Sequence, residues 1–253
     1  MCGKASSHEL SWSAVYAWAT SLRAPSALPP DPDSRRNISP SRLRRKSEPD
    51  SMVWETLPVI RATADCDQPD EAIWPFIPPY SEGRLPLNKE GRLISTANAR
   101  LRSSGAPFAP TFMGAWRANA RLLVAVSWFY EFDSRVRPQI PYAVFPLDAP
   151  CWLMAGIGRW TRMADGSRRL TVAVVTVDPN EVLTGVGHHR SPALLRSPDE
   201  ARRWLDGEAD EALGLLRPFP NETMGVEAMP MDVKIPGNEA FDLPPALQAR
   251  FGS

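Results

Sequence analysis

The chain has 253 residues, with 29 Lys and Arg balanced by 29 Asp and Glu, and 43% of its residues are hydrophobic. This is the composition of an ordinary globular protein of one large domain or two small ones. A formal net charge of +0 argues against a uniformly basic surface that binds nucleic acid. A chain with no net charge can still contain a local basic groove. Because no apolar run is long enough to span a membrane and the first residues lack the apolar stretch of a signal peptide, we expect a cytoplasmic protein.

The three cysteines, Cys2, Cys66 and Cys151, are odd in number and widely spaced. No CxxC motif occurs, so neither a disulfide framework nor a zinc site is expected, and we predict no metal and no cofactor. Cys151 lies in an apolar run that is typical of a buried strand.

The first 50 residues contain two regions of different character. Residues 8–24 carry apolar and aromatic side chains at near-helical spacing, which predicts a first helix. Residues 25–50 combine six prolines with many charges, which predicts a mobile loop. This loop includes the most basic segment of the chain, which is either a solvated surface or a phosphate-contacting edge. Its basic residues are Arg35, Arg36, Arg42, Arg44, Arg45 and Lys46.

Strands are predicted from runs rich in β-branched and aromatic residues. These runs are Val53–Arg61, Leu122–Phe132, Tyr142–Phe145, Trp152–Ile157 and Leu170–Val177. Two later segments predict helices, Asn180–Val186 and Pro198–Leu205, the second with Ser197 as its N-cap.

Strands predominate over helices and do not alternate regularly with them. We therefore predict an α+β fold, with a mainly antiparallel β-sheet curled towards a barrel and helices at its periphery. One domain is expected over residues 2–230, and residues 231–253 are expected to form a tail that packs on the domain or trails from it.

Cys2 follows the initiator methionine and is small enough for that methionine to be removed, which would leave a free α-amine on a cysteine. An α-amine has a pKa of about 8 and a thiol of about 8.5, so both are available as nucleophiles near neutral pH. Such a 1,2-aminothiol can condense with an aldehyde to an imine and then close to a thiazolidine ring. A cysteine at this position is by itself weak support for a function.

Asn98, Ala99 and Arg100 form a second candidate motif. An amide can orient an amine through a hydrogen bond, and a guanidinium can hold a phosphate through two. The alternative is a polar turn after a strand.

Glu131 is a single carboxylate within the aromatic run Trp128–Phe132. If it is buried there, it could act as a general acid or base. The alternative is ordinary strand alternation, with Glu131 on the solvent-facing side.

His188 and His189 are two of only three histidines in the chain, and Arg190 follows them. Histidine is suited to proton transfer near neutral pH. A surface loop is the alternative, and a metal site built from two adjacent histidines is not expected without further ligands.

Together these motifs resemble one family, the SRAP (SOS response-associated peptidase, abasic-site processing) proteins. Members begin Met-Cys-Gly-Arg and continue with Asn-(Val/Ala)-(Ala/Ser)-Pro, an aromatic-Gly-x-x-Pro element, Asn-Ala-Arg, Gly-(Phe/Trp)-(Tyr/Phe)-Glu-Trp and His-x-Arg-x-Pro. The corresponding segments here are Met1–Lys4, Asn37–Pro40, Trp74–Pro78, Asn98–Arg100, Trp128–Phe132 and His188–Pro192. The resemblance extends from residue 2 to about residue 205.

The resemblance implies a barrel-like SRAP fold and a function on single-stranded DNA that contains abasic sites. It implies a monomer in which Cys2 forms a covalent crosslink to the lesion, with autoproteolytic removal of Met1 and a possible lyase activity, associated with the nucleoid upon damage. The implied catalytic residues are Cys2, Asn98, Glu131 and His188, and the implied DNA-binding residues are Lys4, Arg100, Arg190, Tyr80 and Trp74.

Several positions depart from the family pattern. Lys4 replaces an arginine, Trp128 replaces a glycine, and Arg102 stands where an acidic residue is common. Pro75 also replaces a glycine, and Tyr80 stands where some members have a tryptophan. The chain therefore resembles a divergent member.

Two alternatives share the same residues. The first is an N-terminal-nucleophile hydrolase or cysteine peptidase, in which Cys2 attacks an amide and His188 is the base. The second is a catalytically inactive relative that binds single-stranded DNA.

Overall fold

The computed structural model describes residues 3–43 and 52–252. Within these ranges it has thirteen strands and six α-helices. The strands are β1 (Ala5–Ser6), β2 (Arg42–Leu43), β3 (Met52–Val53), β4 (Thr56–Ala62), β5 (Asp67–Ile73), β6 (Asn98–Arg100), β7 (Arg121–Val126), β8 (Trp128–Phe132), β9 (Pro141–Pro146), β10 (Trp152–Arg162), β11 (Arg168–Val177), β12 (Ser191–Pro192) and β13 (Met224–Ala228). The helices are α1 (Trp12–Trp18), α2 (Pro110–Arg117), α3 (Glu181–Gly185), α4 (Pro198–Asp206), α5 (Ala209–Gly214) and α6 (Pro245–Phe251).

The core of the fold is a closed barrel of five strands. The strand order is β10-β7-β4-β5-β11, and β10 also pairs with β11, which closes the barrel. All these pairings are antiparallel except β5 with β11. The predicted α+β fold with a curled, mainly antiparallel sheet is confirmed.

The barrel strands are apolar on both faces because each face is covered. Every residue of β7 is buried. Val124 and Val126 point into the barrel, whereas Leu123 and Ala125 point outwards to the helices, where they pack with Trp204 of α4. This two-sided burial explains the uninterrupted apolar runs in the sequence.

A second sheet of four strands, in the order β1-β8-β9-β13, packs beside the barrel. Its strand β8 divides its side chains between two clusters, because successive residues of a strand point to opposite faces. Phe129 packs in the cluster that also contains the barrel residues Val124 and Val126, and Glu131 lies on the same face of β8. Trp128 and Tyr130 face the opposite way, into a separate apolar cluster.

The C-terminal segment builds this separate cluster. Phe251 of α6 packs on Trp128 with the ring centroids 5.3 Å apart. Strand β13 pairs with β9, and Val233 and Leu247 are fully buried. The tail therefore packs on the domain rather than trailing from it, while the predicted boundary at residue 230 stays a prediction. Trp128, which stands where the family pattern has a glycine, is accommodated by this tail.

The first helix is shorter than predicted. It covers Trp12–Trp18 instead of residues 8–24. Leu10 and Leu22 are buried with the helix although they lie outside it. These two residues made the predicted helix too long, because apolar residues in the flanking turns are buried at the same spacing as those of a helix.

The predicted mobile loop is held in place over its described part. Arg35 donates to Glu55 at 2.7 Å, and Arg36 donates to the carbonyl of Phe241 at 3.0 Å. Arg42 also pairs with Glu55. Arg44, Arg45 and Lys46 lie outside the described residues, so the choice between a solvated surface and a phosphate-contacting edge stays open for them. Across residues 3–43 and 52–252, we find no helix with the length and apolar character to cross a membrane.

Candidate active site

Glu131 and His188 meet at the edge of the barrel. Glu131 lies on β8 and is 1% exposed, and His188 follows the turn after α3. The Nε2 atom of His188 is 2.9 Å from Oε2 of Glu131. The structure therefore brings these two predicted residues together, and Glu131 does not lie on a solvent-facing surface.

The surroundings of the imidazole fix where one proton must be. Nδ1 of His188 lies 2.8 Å from the carbonyl oxygen of Arg190, which can only accept a hydrogen bond. Nδ1 therefore carries a hydrogen. Nε2 lies 2.9 Å from Oε2 of Glu131, close enough for a proton to pass between the two groups.

Asn98 and Arg100 lie on β6, which is a strand rather than the polar turn of the alternative interpretation. β6 runs parallel to β11, with Asn98 opposite Val174 and Arg100 opposite Thr176. Strand pairing with the barrel fixes the backbone of both residues. The sequence missed this strand because it has only three residues, none of them β-branched.

Arg100 and Arg190 line one open cavity of about 540 Å³ next to this strand, together with Arg102 and Asp178. Arg190 is only 4% exposed. It donates to Asp178 at 2.6 Å and also to the carbonyl of Thr176. Burial first, and then the nearby Arg100, lower the pKa of the Arg190 guanidinium below its ordinary value, while Asp178 opposes this shift. The cavity is a concentration of positive charge in a chain with no net charge.

Lys4 does not present its charge to solvent, which corrects its prediction as a DNA-binding residue. Its ammonium group is buried and donates to Oδ1 of Asn37 at 2.8 Å and to Oγ of Ser39 at 3.1 Å. Burial, assisted by the charge of Arg42, lowers the pKa of Lys4 to about 8. Lys4 therefore ties the N-terminal strand to the segment that contains Asn37.

Trp74 also has to be corrected. Its side chain is fully buried in the barrel interior, and its indole N–H donates to the carbonyl of Ala97 at 2.9 Å. A nucleobase cannot stack on it unless the core opens. Tyr80, the other predicted stacking residue, is 59% exposed and keeps a free ring face for such a contact.

Cys2 lies outside the described residues, so its predicted role stays a prediction. Strand β1 begins three residues later and pairs with β8, and the backbone N–H of Tyr130 donates to the carbonyl of Lys4 at 3.0 Å. Of the other thiols, Cys151 is fully buried, which raises its pKa to about 12, and Cys66 lies in a turn beside Thr63. Among the described residues, no group of three or more His, Cys, Asp or Glu is arranged to hold a metal ion.

The sequence analysis missed the acidic partners of the site. Asp178 binds Arg190, and Asp133 lies two residues after Glu131 and binds Arg135. The spacing of Asp133 and Arg135 was visible in the sequence, but nothing there indicated that their contacts reach the segment before His188.

The fold and this site define an α+β barrel protein with a buried carboxylate–imidazole pair and a cavity lined by arginines. The chain belongs to the SOS response associated peptidase (SRAP) family, whose model matches residues 1–236. It is 29% identical over 133 residues to the abasic site processing protein HMCES of Gallus gallus, a match that covers 44% of this chain. The match spans 39% of the length of that relative.

Solved structures share the fold. A protein from Bordetella bronchiseptica covers 91% of this chain and all of its own, with a TM-score of 0.68 at 19% identity. A protein from Bacteroides thetaiotaomicron covers 76% of this chain and 84% of its own, with a TM-score of 0.61 at 24% identity. A phage-related protein from Bordetella bronchiseptica covers 95% of this chain and all of its own, with a TM-score of 0.59 at 22% identity.

Proposed function

We propose that the protein processes abasic sites in single-stranded DNA and that Cys2, after removal of Met1, forms a thiazolidine crosslink with the ring-opened sugar. Family membership and the name of the HMCES relative support the substrate. The observation that carries the proposal is the 2.9 Å contact between Glu131 and His188, because imine chemistry needs a proton donor and acceptor beside the nucleophile.

The proposed reaction begins with attack of the Cys2 amine on the aldehyde carbon of the open sugar. The resulting carbinolamine loses water to form an imine: the Glu131–His188 pair gives a proton to the departing hydroxyl and takes back the proton that the nitrogen releases. The Cys2 sulfur then adds to the imine carbon, and the thiol proton moves to the imine nitrogen. One aldehyde and one aminothiol thus give one thiazolidine and one water, with no oxidant or cofactor.

The described segment that follows residue 2 in the sequence supports the choice of nucleophile. The backbone N–H of Tyr130, the neighbour of Glu131 on β8, donates to the carbonyl of Lys4 at 3.0 Å. The start of the described chain therefore runs beside the strand that carries Glu131.

In this proposal, two kinds of contact hold the DNA strand: arginines attract its phosphates, and an aromatic ring stacks on one of its bases. Arg100 lines the positive cavity, where a phosphate can accept from its guanidinium. The exposed ring of Tyr80 offers a surface for a base. The proposal assigns Arg190 to the same cavity, where its ion pair with the exposed Asp178 partly neutralises its charge.

The test is a denaturing gel of the purified protein with a single strand that contains one abasic site. We expect a heat-stable adduct of one protein per strand, and no adduct with an undamaged strand of the same sequence. Cleavage of the strand without an adduct would indicate a lyase instead. Binding without either product would indicate an inactive relative, and cleavage of a peptide or amide substrate through Cys2 would indicate a hydrolase.

A further inference from the structure

The segment that follows β8 holds the turn that precedes His188. Arg135 donates from Nε and Nη2 to the two carboxylate oxygens of Asp133, at 2.9 and 2.8 Å. The same Nη2 atom donates to the carbonyl of Gly185, the last residue of α3, at 2.7 Å. Arg135 therefore joins the end of β8 to the end of α3.

A second contact joins the same two segments. The hydroxyl of Ser134 donates to the carbonyl of Gly187 at 3.1 Å. Gly187 has φ +75°, and a Cβ atom on it would lie 2.2 Å from Oδ1 of Asp133. Only glycine permits this approach, so the turn lies directly against the carboxylate.

These contacts matter because Glu131 and His188 lie in different parts of the fold. Glu131 lies on β8 in the four-stranded sheet, whereas His188 follows α3, which leaves the barrel after β11. The distance between them depends on how the two parts are joined. The backbone N–H of His188 donates to the carbonyl of Leu183 in α3 at 2.9 Å, so the imidazole moves with this turn.

We propose that Asp133 and Arg135 are positioning residues that hold the His188 imidazole at proton-transfer distance from Glu131. Asp133 is 5% exposed, and its hydrogen bonds from Arg135 lower the pKa of the carboxyl. The ion pair therefore persists throughout the neutral range. The kinetic part of this inference rests on the proposed function.

The first test compares Arg135→Ala with Arg137→Ala. Arg137 is a neighbouring exposed arginine that, among the described residues, donates only to the carbonyls of Ser134 and Val136 in its own loop. We expect Arg135→Ala to slow single-turnover crosslinking by about 10- to 100-fold, because a shift of about 1 Å at a proton-transfer site has an effect of this size. Affinity for the abasic strand should be unchanged, and Arg137→Ala should react at the wild-type rate.

The pH profile separates positioning from folding. An imidazole displaced from Glu131 is in a different electrostatic environment. The pH at the midpoint of the rate–pH profile should therefore change in Arg135→Ala. A loss of folded protein would lower the amplitude and leave the midpoint in place. Should the alanine variant fail to fold, Arg135→Lys keeps the charge but not the paired donors, and the same shift is expected from it.

Two glycine variants provide a matched comparison. Gly187→Ala and Gly166→Ala both place a side chain at positive φ, but only the former meets a neighbour, because nothing lies within 4 Å of a Cβ at Gly166. We expect Gly187→Ala to slow the reaction at unchanged DNA affinity, and Gly166→Ala to react normally.

A spectroscopic measurement makes the inference independent of the reaction. The chain has three histidines, so ¹⁵N-histidine labelling gives few side-chain signals. In the wild type, His188 should show a protonated Nδ1, and this signal should shift or broaden in Arg135→Ala but not in Arg137→Ala. If the wild type forms no adduct, the proposed function fails while this measurement still decides the inference. Unchanged signals in Arg135→Ala, or a lower rate with an unmoved pH midpoint, would overturn it.

Discussion

The Lys4 ammonium group lies 2.8 Å from Oδ1 of Asn37, and Nδ2 of Asn37 donates to the carbonyls of Val233, Ile235 and Asn238. One amide thus joins the N-terminal strand to the C-terminal tail. The burial of the ammonium group lowers the pKa of Lys4 to about 8, from the ordinary value of 10.5. This shift has a consequence for stability that can be measured.

We predict that Lys4 destabilises the folded state at neutral pH and that this effect disappears in alkali. Below pH 8 the folded protein must keep a buried charge, whereas between pH 8 and 10.5 the unfolded chain binds more protons than the folded one. The free energy of unfolding of the wild type should therefore rise relative to that of Lys4→Met over this interval. Urea unfolding of both proteins at several pH values measures the difference, and a constant difference would contradict the shifted pKa.

The second prediction concerns the nucleophile. Cys2→Ala should form no heat-stable adduct with an abasic strand, and Cys2→Ser should give at most a reversible imine, because an alcohol closes the ring less readily than a thiolate. Cys66→Ala is the matched control and should react as the wild type does. Intact mass spectrometry should show that the active protein begins at Cys2. Equal adduct from the wild type and Cys2→Ala would refute the assignment.

For the proton-transfer pair, we predict that Glu131→Gln and His188→Ala each slow crosslinking by about 100-fold or more, the usual effect of losing a general acid or base. The fold decrease in rate of the double variant should be smaller than the product of the two single-variant decreases, because both residues act on one proton transfer. Single-turnover rates give the values, with circular dichroism as the folding control. Wild-type rates in both single variants would show that Cys2 needs no such assistance.

Arg100→Ala should weaken binding to single strands and reduce the log–log salt dependence by about 0.7, the value for one phosphate contact. Arg190 needs a different substitution, because it is buried against Thr176 and Asp178 and its removal would disturb the fold. Asp178→Asn should instead free this charge and strengthen binding at low salt. Unchanged salt dependence in Arg100→Ala would move the phosphate contact away from this cavity.

Tyr80 and Trp74 should respond in opposite ways to substitution. Tyr80→Ala should weaken binding to single strands by about 1–3 kcal/mol if a base stacks on the exposed ring, with little change in stability. Trp74→Ala should lower the free energy of unfolding by about 3–5 kcal/mol, because it empties a fully buried site in the barrel. Fluorescence anisotropy and urea unfolding separate the two effects, and a Tyr80→Ala variant with wild-type affinity would exclude the stacking contact.

The strands and helices that could be predicted from the sequence are those whose buried residues form a recognisable apolar pattern. Strands β7, β10 and β11 are long apolar runs, and α4 carries both its N-cap Ser197 and a proline in its first turn. Strand β5 escaped prediction because its sequence, DQPDEAI, contains three acidic residues and a proline. Its position is fixed by pairing with β4 and by the buried Asp67, contacts that no local pattern encodes.

The same limit applies to the site. Glu131 and His188 could be proposed from their residue types, but 57 positions separate them, and only the fold shows that their side chains meet. Lys4 and Trp74 were misassigned because their residue types are typical of DNA contacts. Whether such a side chain is buried by the rest of the fold cannot be read from the sequence.

The amide of Asn37 also has a consequence for biosynthesis. Its three acceptors, at residues 233, 235 and 238, are translated 196 to 201 residues after Asn37. During synthesis, the N-terminal strand therefore leaves the ribosome long before the segment that supports Asn37 exists. A nascent chain that stops before residue 233 contains Lys4 and Asn37 without these hydrogen bonds. The contact between Lys4 and Asn37 gains its full support only when residue 238 has been added.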